Sequence, residues 1–190
     1  MAAASSAAGA ADLISLGCKA RASSILSEDK RSYGPQNAID GDDSSCWNSE
    51  QGLPQWLELE LGSQDERGGD WPERVARELF VTFQGGFAGT TAVIEAAGAQ
   101  KRKRAAWAVV GRVSFVDSSS EQATDLRRAA AALPESEREA AVAAGVMTDE
   151  GVVCRRLRVR FEAGSDFFGR VVVYGVRLTG ARREHASATA

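Results

Sequence analysis

The chain has 190 residues, a length that suits one domain rather than two, and 44% of them are hydrophobic, which is enough to build a core. Its 23 Lys and Arg residues nearly balance 26 Asp and Glu residues, and the net charge is −3. This balance excludes a global field that attracts nucleic acid or an anionic membrane, so we expect neither as a partner.

The cysteine and histidine content argues against a structural zinc site and a disulfide framework. Cys18, Cys46 and Cys154 lie far apart without a CxxC pair, and the one histidine, His185, lies in a Ser/Ala-rich tail. The opening MAAASSAAGAA lacks a charged n-region, and no stretch reaches the roughly 18 apolar residues of a membrane span. We therefore expect nuclear or cytoplasmic localisation, with an organelle transit peptide as the alternative.

Residues 1–11 and 181–190 are small and polar without periodicity, which predicts two disordered tails around a domain spanning residues 12–180. Near the start of that domain, the run GPQNAIDG from Gly34 to Gly41 has the composition of a turn. It leads into DDSSCWNSEQGLPQW, so we predict a long ordered loop region here.

Alternating apolar and polar residues predict strands along the rest of the chain. In QWLELEL, from Gln55 to Leu61, the pattern places Glu58 and Glu60 on a face in water. Strands without intervening helices favour an all-β, antiparallel jelly-roll sandwich. The other predicted strands are Val75–Phe83, Val109–Val116, Val152–Phe161 and Arg170–Leu178.

Residues 121–145 are the exception, because their composition predicts a short helical insert between strands. Pro134 suits a first helical position, the acidic residues after it suit an N-terminal turn, and Gly145 suits the stop.

The string NAIDGDDSSCW, residues 37–47, followed by QWLEL, resembles the discoidin or coagulation-factor type C family of galactose-binding-like sandwiches. More narrowly, CWNSEQGLPQW, FQGGF and DFFGRVVVYGVRLTG, in this order, are similar to a family of small proteins associated with a testicular orphan nuclear receptor. The resemblance implies a one-domain nuclear or cytoplasmic protein that represses the receptor by blocking its DNA binding.

The same resemblance raises a structural Ca²⁺ ion as one interpretation of the Asp-rich turn. In sugar-binding relatives the Asp-Gly-x-x-x-Ser/Thr-x-Trp turn holds the ion, and the matching residues here are Asp40, Asp43 and Ser45. Those relatives usually add a glutamate from the last strand, where this chain has Gly175. The alternative is a network of Asx turns that caps its own backbone without a metal.

Two loops combine amides with aromatic residues and form the predicted partner-binding surface, since recognition is commonly carried by loops on a rigid scaffold. Trp47 and Trp56, which flank the first loop, are predicted to pack in the core, with contact to a sugar or protein as the alternative. The candidate contact residues are Asn48, Glu50, Gln51, Gln55, Gln84 and Phe87.

Three further motifs have simpler interpretations. Asp166-Phe-Phe-Gly169 lacks the companion motifs of a protein kinase, so we predict a turn in which Phe167 or Phe168 enters the core. The run KRKR, residues 101–104, is either a nuclear import signal, a phosphate-contacting patch or a solvated loop. Cys154 begins an Arg-rich strand, but no histidine is available as its base, so a catalytic thiol is not expected.

No catalytic motif occurs, and the leading hypothesis is a non-enzymatic, monomeric adaptor whose loops bind a protein, such as a nuclear receptor or another transcription factor. One alternative is a module that binds carbohydrate or a lipid head group. Another is a subunit of a larger assembly, because relatives of the fold serve in ciliary transport particles and in a ubiquitin ligase.

Overall fold

The computed structural model describes residues 11–62, 74–98 and 106–182. Two antiparallel sheets pack face to face, and three short α-helices and two 3-10 helices (Leu26–Glu28 and Pro35–Ala38) lie at their margins. The α-helices are α1 (Lys30–Tyr33), α2 (Leu126–Ala131) and α3 (Glu135–Ala143). The strands are β1 (Ala11–Asp12), β2 (Cys18–Ala22), β3 (Trp47–Asn48), β4 (Gln55–Leu61), β5 (Arg74–Phe83), β6 (Thr91–Ala97), β7 (Ala108–Ser114), β8 (Gln122–Asp125), β9 (Met147–Thr148), β10 (Gly151–Cys154), β11 (Arg156–Ala163) and β12 (Val172–Arg182).

The strand order confirms the predicted all-β jelly-roll sandwich. One sheet has the order β1-β12-β5-β10-β9, with β3 beside β12 and β8 beside β5. The other has the order β2-β4-β11-β6-β7. Most neighbouring strands in this order come from distant parts of the chain, as β1 and β12 do, so the hydrogen-bonded ladders link its two ends into one core.

An aromatic cluster fills the core at the end of the sandwich where β4 begins and β5 ends. Trp47 and Phe161 stack with ring centroids 6.4 Å apart, and Phe83 meets Phe115 and Phe161 edge to face at 5.4 and 5.7 Å. Trp47 is completely buried, which confirms its predicted place in the core. The close packing of these rings supports the loops at this end of the sandwich.

The predicted single strand Val152–Phe161 is two strands in different sheets, and the prediction was wrong on this point. β10 belongs to the larger sheet and β11 to the smaller one, and the chain crosses between them at Arg155. The Arg155 N–H donates to the Ala97 carbonyl at 3.0 Å, and its own carbonyl accepts from Leu61 N–H at 2.8 Å. These long-range pairings set the crossing, and no local turn residue marks it.

Glu58 does not face water as the alternating pattern predicts, because arginines cover it. Its side chain is 4% exposed and pairs with Arg156 at 3.6 Å and Arg158 at 2.8 Å. Trp56 lies on this same outer face and stacks on Arg158 at 4.7 Å, so its predicted place in the core was wrong as well. The neighbouring strand β11 has an arginine at every second position, and these side chains cover the outer face of the smaller sheet.

The insert is helical as predicted, with two helices, but it begins with a strand, β8, that the sequence did not predict. β8 precedes α2, and the Asp125 carboxylate caps α2 by accepting from Arg128 N–H. Pro134 is the N-cap of α3 rather than its first helical residue, and Gly145 ends that helix with a φ of +72°. No helix in the described part of the chain is long and apolar enough to cross a membrane. The KRKR run lies outside the described residues.

Candidate functional site

Three loops meet at the end of the sandwich above the aromatic cluster, and we call residues 48–54, 84–87 and 166–169 the loop surface. Backbone hydrogen bonds join its parts: Gly52 N–H donates to Phe168 O at 2.8 Å and Gln84 N–H to Val172 O at 3.1 Å. The 84–87 turn is also held from the side, because Gly86 N–H donates to the Asp117 carboxylate at 2.8 Å. The loop surface is therefore a fixed platform.

Two adjacent phenylalanines project from this platform into solvent. Phe167 is 93% exposed and Phe168 56%, and their rings meet edge to face at 5.3 Å. The prediction that one of them enters the core was wrong. A turn from Asp166 O to Gly169 N–H places both at its central positions, while Phe161 and Trp47 fill the core beneath.

The close contact between two loops requires glycine at the end of this turn. Gly169 has a φ of +74°, and a Cβ there would lie 3.2 Å from both the Gly52 carbonyl carbon and Leu53 Cγ. Leu53 is itself 37% exposed and extends the apolar area beside the phenylalanines. The signal that could have found this arrangement is the DxxG turn pattern, in which the two middle side chains face outward.

Gln55, a predicted contact residue, is buried and holds the loop from inside. Its Oε1 accepts from the hydroxyls of Ser23 and Ser24, and its Nε2 donates to Glu50 O at 3.2 Å and Gly52 O at 2.6 Å. Only 5% of the residue is exposed. In this structure the amide supports the loop surface and presents nothing to a partner.

The other predicted contact residues do lie at the loop surface. Gln51 is exposed, whereas Asn48 and Gln84 are half-buried. Glu50 accepts from Ser27 N–H at 2.6 Å, and Phe87 is covered by the Arg170 guanidinium at 4.8 Å. The geometry thus brings these residues together beside the phenylalanine pair, and their contact role stays a prediction.

The Asp-rich turn forms the hydrogen bonds of an Asx-turn network. Asp40 accepts from Asp42 N–H at 2.9 Å and from the Ser45 hydroxyl at 2.7 Å. Asp43 is exposed, and across a cavity of about 300 Å³ from it lies Gly175, without the carboxylate that sugar-binding relatives usually place there. Among the described residues, no three His, Cys, Asp or Glu side chains converge on a metal position. The donor set is one strong ligand short, and a structural Ca²⁺ ion stays an untested alternative to the Asx-turn network.

The cysteines show no sign of an activated nucleophile. Cys154 is completely buried, and burial raises the pKa of the Cys18 thiol to about 12, with the Glu60 charge adding to the effect. Burial also raises the pKa of Cys46. A raised pKa lowers the thiolate fraction, so these residues behave as apolar side chains rather than nucleophiles.

Curated relatives are similar to this chain over most of their length and most of its own. The nuclear receptor 2C2-associated protein of Homo sapiens is 30% identical over 164 residues, which are 85% of this chain and 91% of the human protein. That of Xenopus laevis is 30% identical over 169 residues, covering 88% of this chain and 97% of the relative. No family model matches the chain.

Solved structures agree on the fold. The family 32 carbohydrate-binding module of C. perfringens NanJ, in complex with galactose, superposes with a TM-score of 0.60 over 90% of this chain and 98% of its own, at 15% identity. The F5/8 type C domain from Bacteroides fragilis gives 0.61 over 90% and 94%, at 14% identity. The chain therefore belongs to the nuclear receptor 2C2-associated protein family and has the galactose-binding-like, discoidin-type jelly roll.

Proposed function

We propose that this chain is a non-enzymatic protein-binding module that associates with a nuclear receptor through the loop surface. The observation that carries the proposal is the phenylalanine pair, since Phe167 and Phe168 are exposed on a platform of fixed loops. The names of the family's members, which describe association with nuclear receptor 2C2, support the choice of partner.

The physical reason is that exposed aromatic residues on a rigid platform act as anchors. Burying one such side chain against a partner contributes about 1.5–3 kcal/mol, and aromatic residues are enriched among interface hot spots. The surrounding hydrogen bonds already hold the turn, so binding orders little additional chain. Polar Gln51 and Glu50 would form the rim around this apolar centre.

The finer proposal is that the bound chain represses transcription by keeping the receptor from its DNA. A partner that occupies the receptor's DNA-binding surface would compete with the duplex without itself binding nucleic acid. This predicts that added chain reduces the receptor's gel shift on its response element while forming no supershifted complex.

The experiment compares wild type with the double variant Phe167→Ser/Phe168→Ser for binding to immobilised nuclear receptor 2C2. Both side chains are exposed, so the variant should fold, and circular dichroism checks this. We expect its affinity to fall at least about tenfold. The matched control is Leu16→Ser, which removes another exposed apolar side chain, 44% exposed, outside the loop surface.

Wild-type affinity in the folded double variant would refute the loop surface as the contact, and no binding by wild type would refute the receptor as the partner. The gel shift is scored separately. Receptor binding that leaves the shift on DNA unchanged would overturn the repression mechanism alone.

Carbohydrate binding is the second candidate, because the exposed Phe167 ring also offers a face on which a sugar can stack. A glycan array with the wild-type chain and the double variant separates the two functions. A glycan bound by wild type and lost in the variant would replace the protein partner with a sugar.

A further inference from the structure

A second open site lies on the insert, where α3 and β9 enclose a groove of about 640 Å³. Its helix wall follows the i, i+3, i+4, i+7 spacing from Glu135 to Val142, and residues 147–149 form the facing wall. Val142 is 56% exposed at the groove, although the neighbouring Ala141 is completely buried under the helix. The helix thus has one face in the core, and Val142 and Ala143 near its end line the groove without covering by other described residues.

The position of α3 is fixed by contacts that do not involve the groove. Glu137 forms a bidentate ion pair with Arg112 of β7, and the shorter of its two contacts, from Arg112 Nη2 to Glu137 Oε1, is 2.7 Å. After the helix, Val146 is completely buried, and its carbonyl accepts from Val153 N–H at 2.9 Å. The groove is therefore a preformed feature rather than a gap between loose segments.

The rim of the groove is negatively charged. Glu135 pairs with Arg138, whereas Glu139 and Asp149 form no ion pair within the described part of the chain. The four charged side chains therefore leave two uncompensated carboxylates beside an apolar floor. This arrangement complements an apolar strip flanked by cations.

The geometry favours a helix over a strand as the occupant. β9 is the end strand of its sheet but has only two residues, too few to pair with an added strand. α3 has nine residues and is about 13 Å long at 1.5 Å per residue, which matches two to three turns of a bound helix. Such a helix would place apolar residues at i, i+3 or i+4, and i+7 over Val142 and Met147.

We infer that this groove binds a basic amphipathic helix of a partner protein. It lies at the opposite end of the sandwich from the loop surface. Val146, next to the groove, lies beside the end of β6, since a Cβ built on Gly98 would be 3.9 Å from Val146 Cγ1, whereas the loop surface precedes the start of β6. The two sites can therefore be occupied together, and the inference is independent of the proposed function.

The test is fluorescence anisotropy with the full chain and a labelled 14-residue peptide that has Leu at the i, i+3, i+7 positions and Lys elsewhere. We expect saturable binding that weakens at least about tenfold in Val142→Asp and in Glu139→Lys/Asp149→Lys. The matched control Val116→Asp changes a 70% exposed valine near the other end of the sandwich and should leave the affinity unchanged. The same peptide with Glu in place of Lys should not bind.

Equal affinity of wild type and Val142→Asp, or equal loss in Val116→Asp, would overturn the site. Hydrogen exchange supplies a second measurement, because the peptide should slow exchange in α3 and not in residues 166–169. Sedimentation tests a different occupant: a concentration-dependent dimer abolished by Val142→Asp would assign the groove to a second copy of the chain and overturn the inference.

Discussion

Replacing Gln55 with Ala should destabilise the whole sandwich, although Gln55 lies in a sequence that has the composition of a surface loop. The amide joins the start of β4 to two segments: the serines after β2 and the loop after β3. Ser23 and Ser24 also accept from the backbone N–H groups of Trp56 and Glu50, so the amide holds groups that are themselves fixed in place.

The magnitude follows from the four hydrogen bonds of the buried amide. The two serine hydroxyls lose their acceptor but still accept from backbone N–H groups. Gly52 O loses its donor, whereas Glu50 O keeps the bond from the Ser49 hydroxyl at 2.8 Å. The net contribution of one such hydrogen bond is about 0.5–1.5 kcal/mol, so we expect the loss of four to cost about 3 kcal/mol. For a chain of this length that lowers the melting temperature by about 6–12 °C.

The assay is urea unfolding followed by tryptophan fluorescence, with Gln51→Ala as the matched control. Gln51 is exposed and forms no side-chain hydrogen bond within the described residues, so its substitution should change stability by less than about 0.5 kcal/mol. Coincident unfolding curves for Gln55→Ala and Gln51→Ala would refute the assigned structural role. They would return Gln55 to the set of contact residues.

Three further outcomes are expected. Gly89→Ala should lower the free energy of unfolding by about 1–3 kcal/mol in a denaturant titration, because the new Cβ would lie 2.2 Å from a ring carbon of Phe161. The control Gly98→Ala would make only ordinary contacts and should leave the free energy of unfolding unchanged. Near pH 8, Ellman's reagent should leave Cys18 and Cys154 unmodified until the chain is denatured, since burial raises the pKa of Cys18; rapid labelling of the folded chain would contradict this. Melting temperatures in millimolar Ca²⁺ and in EGTA should agree, because the Asp-rich turn already forms its own hydrogen bonds, and a rise in Ca²⁺ would establish the ion.

Strands with one buried and one exposed face could be predicted, because apolar and polar residues alternate along them. Strands without this alternation could not be predicted. β4 and most of β5 were predicted because apolar and polar residues alternate or β-branched residues dominate there. β6, with the sequence TAVIEAA, was missed because five of its seven residues are buried and four are small or weakly strand-forming. Its pairing with β11, which is non-local, decides its conformation.

The candidate site shows a different limit, because composition located the loops but did not orient their side chains. Gln55 and Gln51 are chemically identical, and only the positions of two serines, about 30 residues earlier in the chain, bury one amide and expose the other. Phe167 and Phe168 have strong core preference, yet the turn places them outside. Departures from residue preference of this kind are common at functional sites.

The outer face of the smaller sheet explains why binding should occur at the ends of the sandwich. Arg158 lies between the rings of Trp56 and Trp107, at 4.7 and 4.0 Å, and above Glu58. A partner docking there would have to remove water from charges that already satisfy one another, which costs more than it returns. The exposed large apolar side chains in the described residues lie elsewhere: Leu53, Phe167 and Phe168 on the loop surface, Val142 on α3, and Leu16 and Val116 singly. The two proposed contacts lie at opposite ends of the sandwich, which is the geometry that we expect of an adaptor.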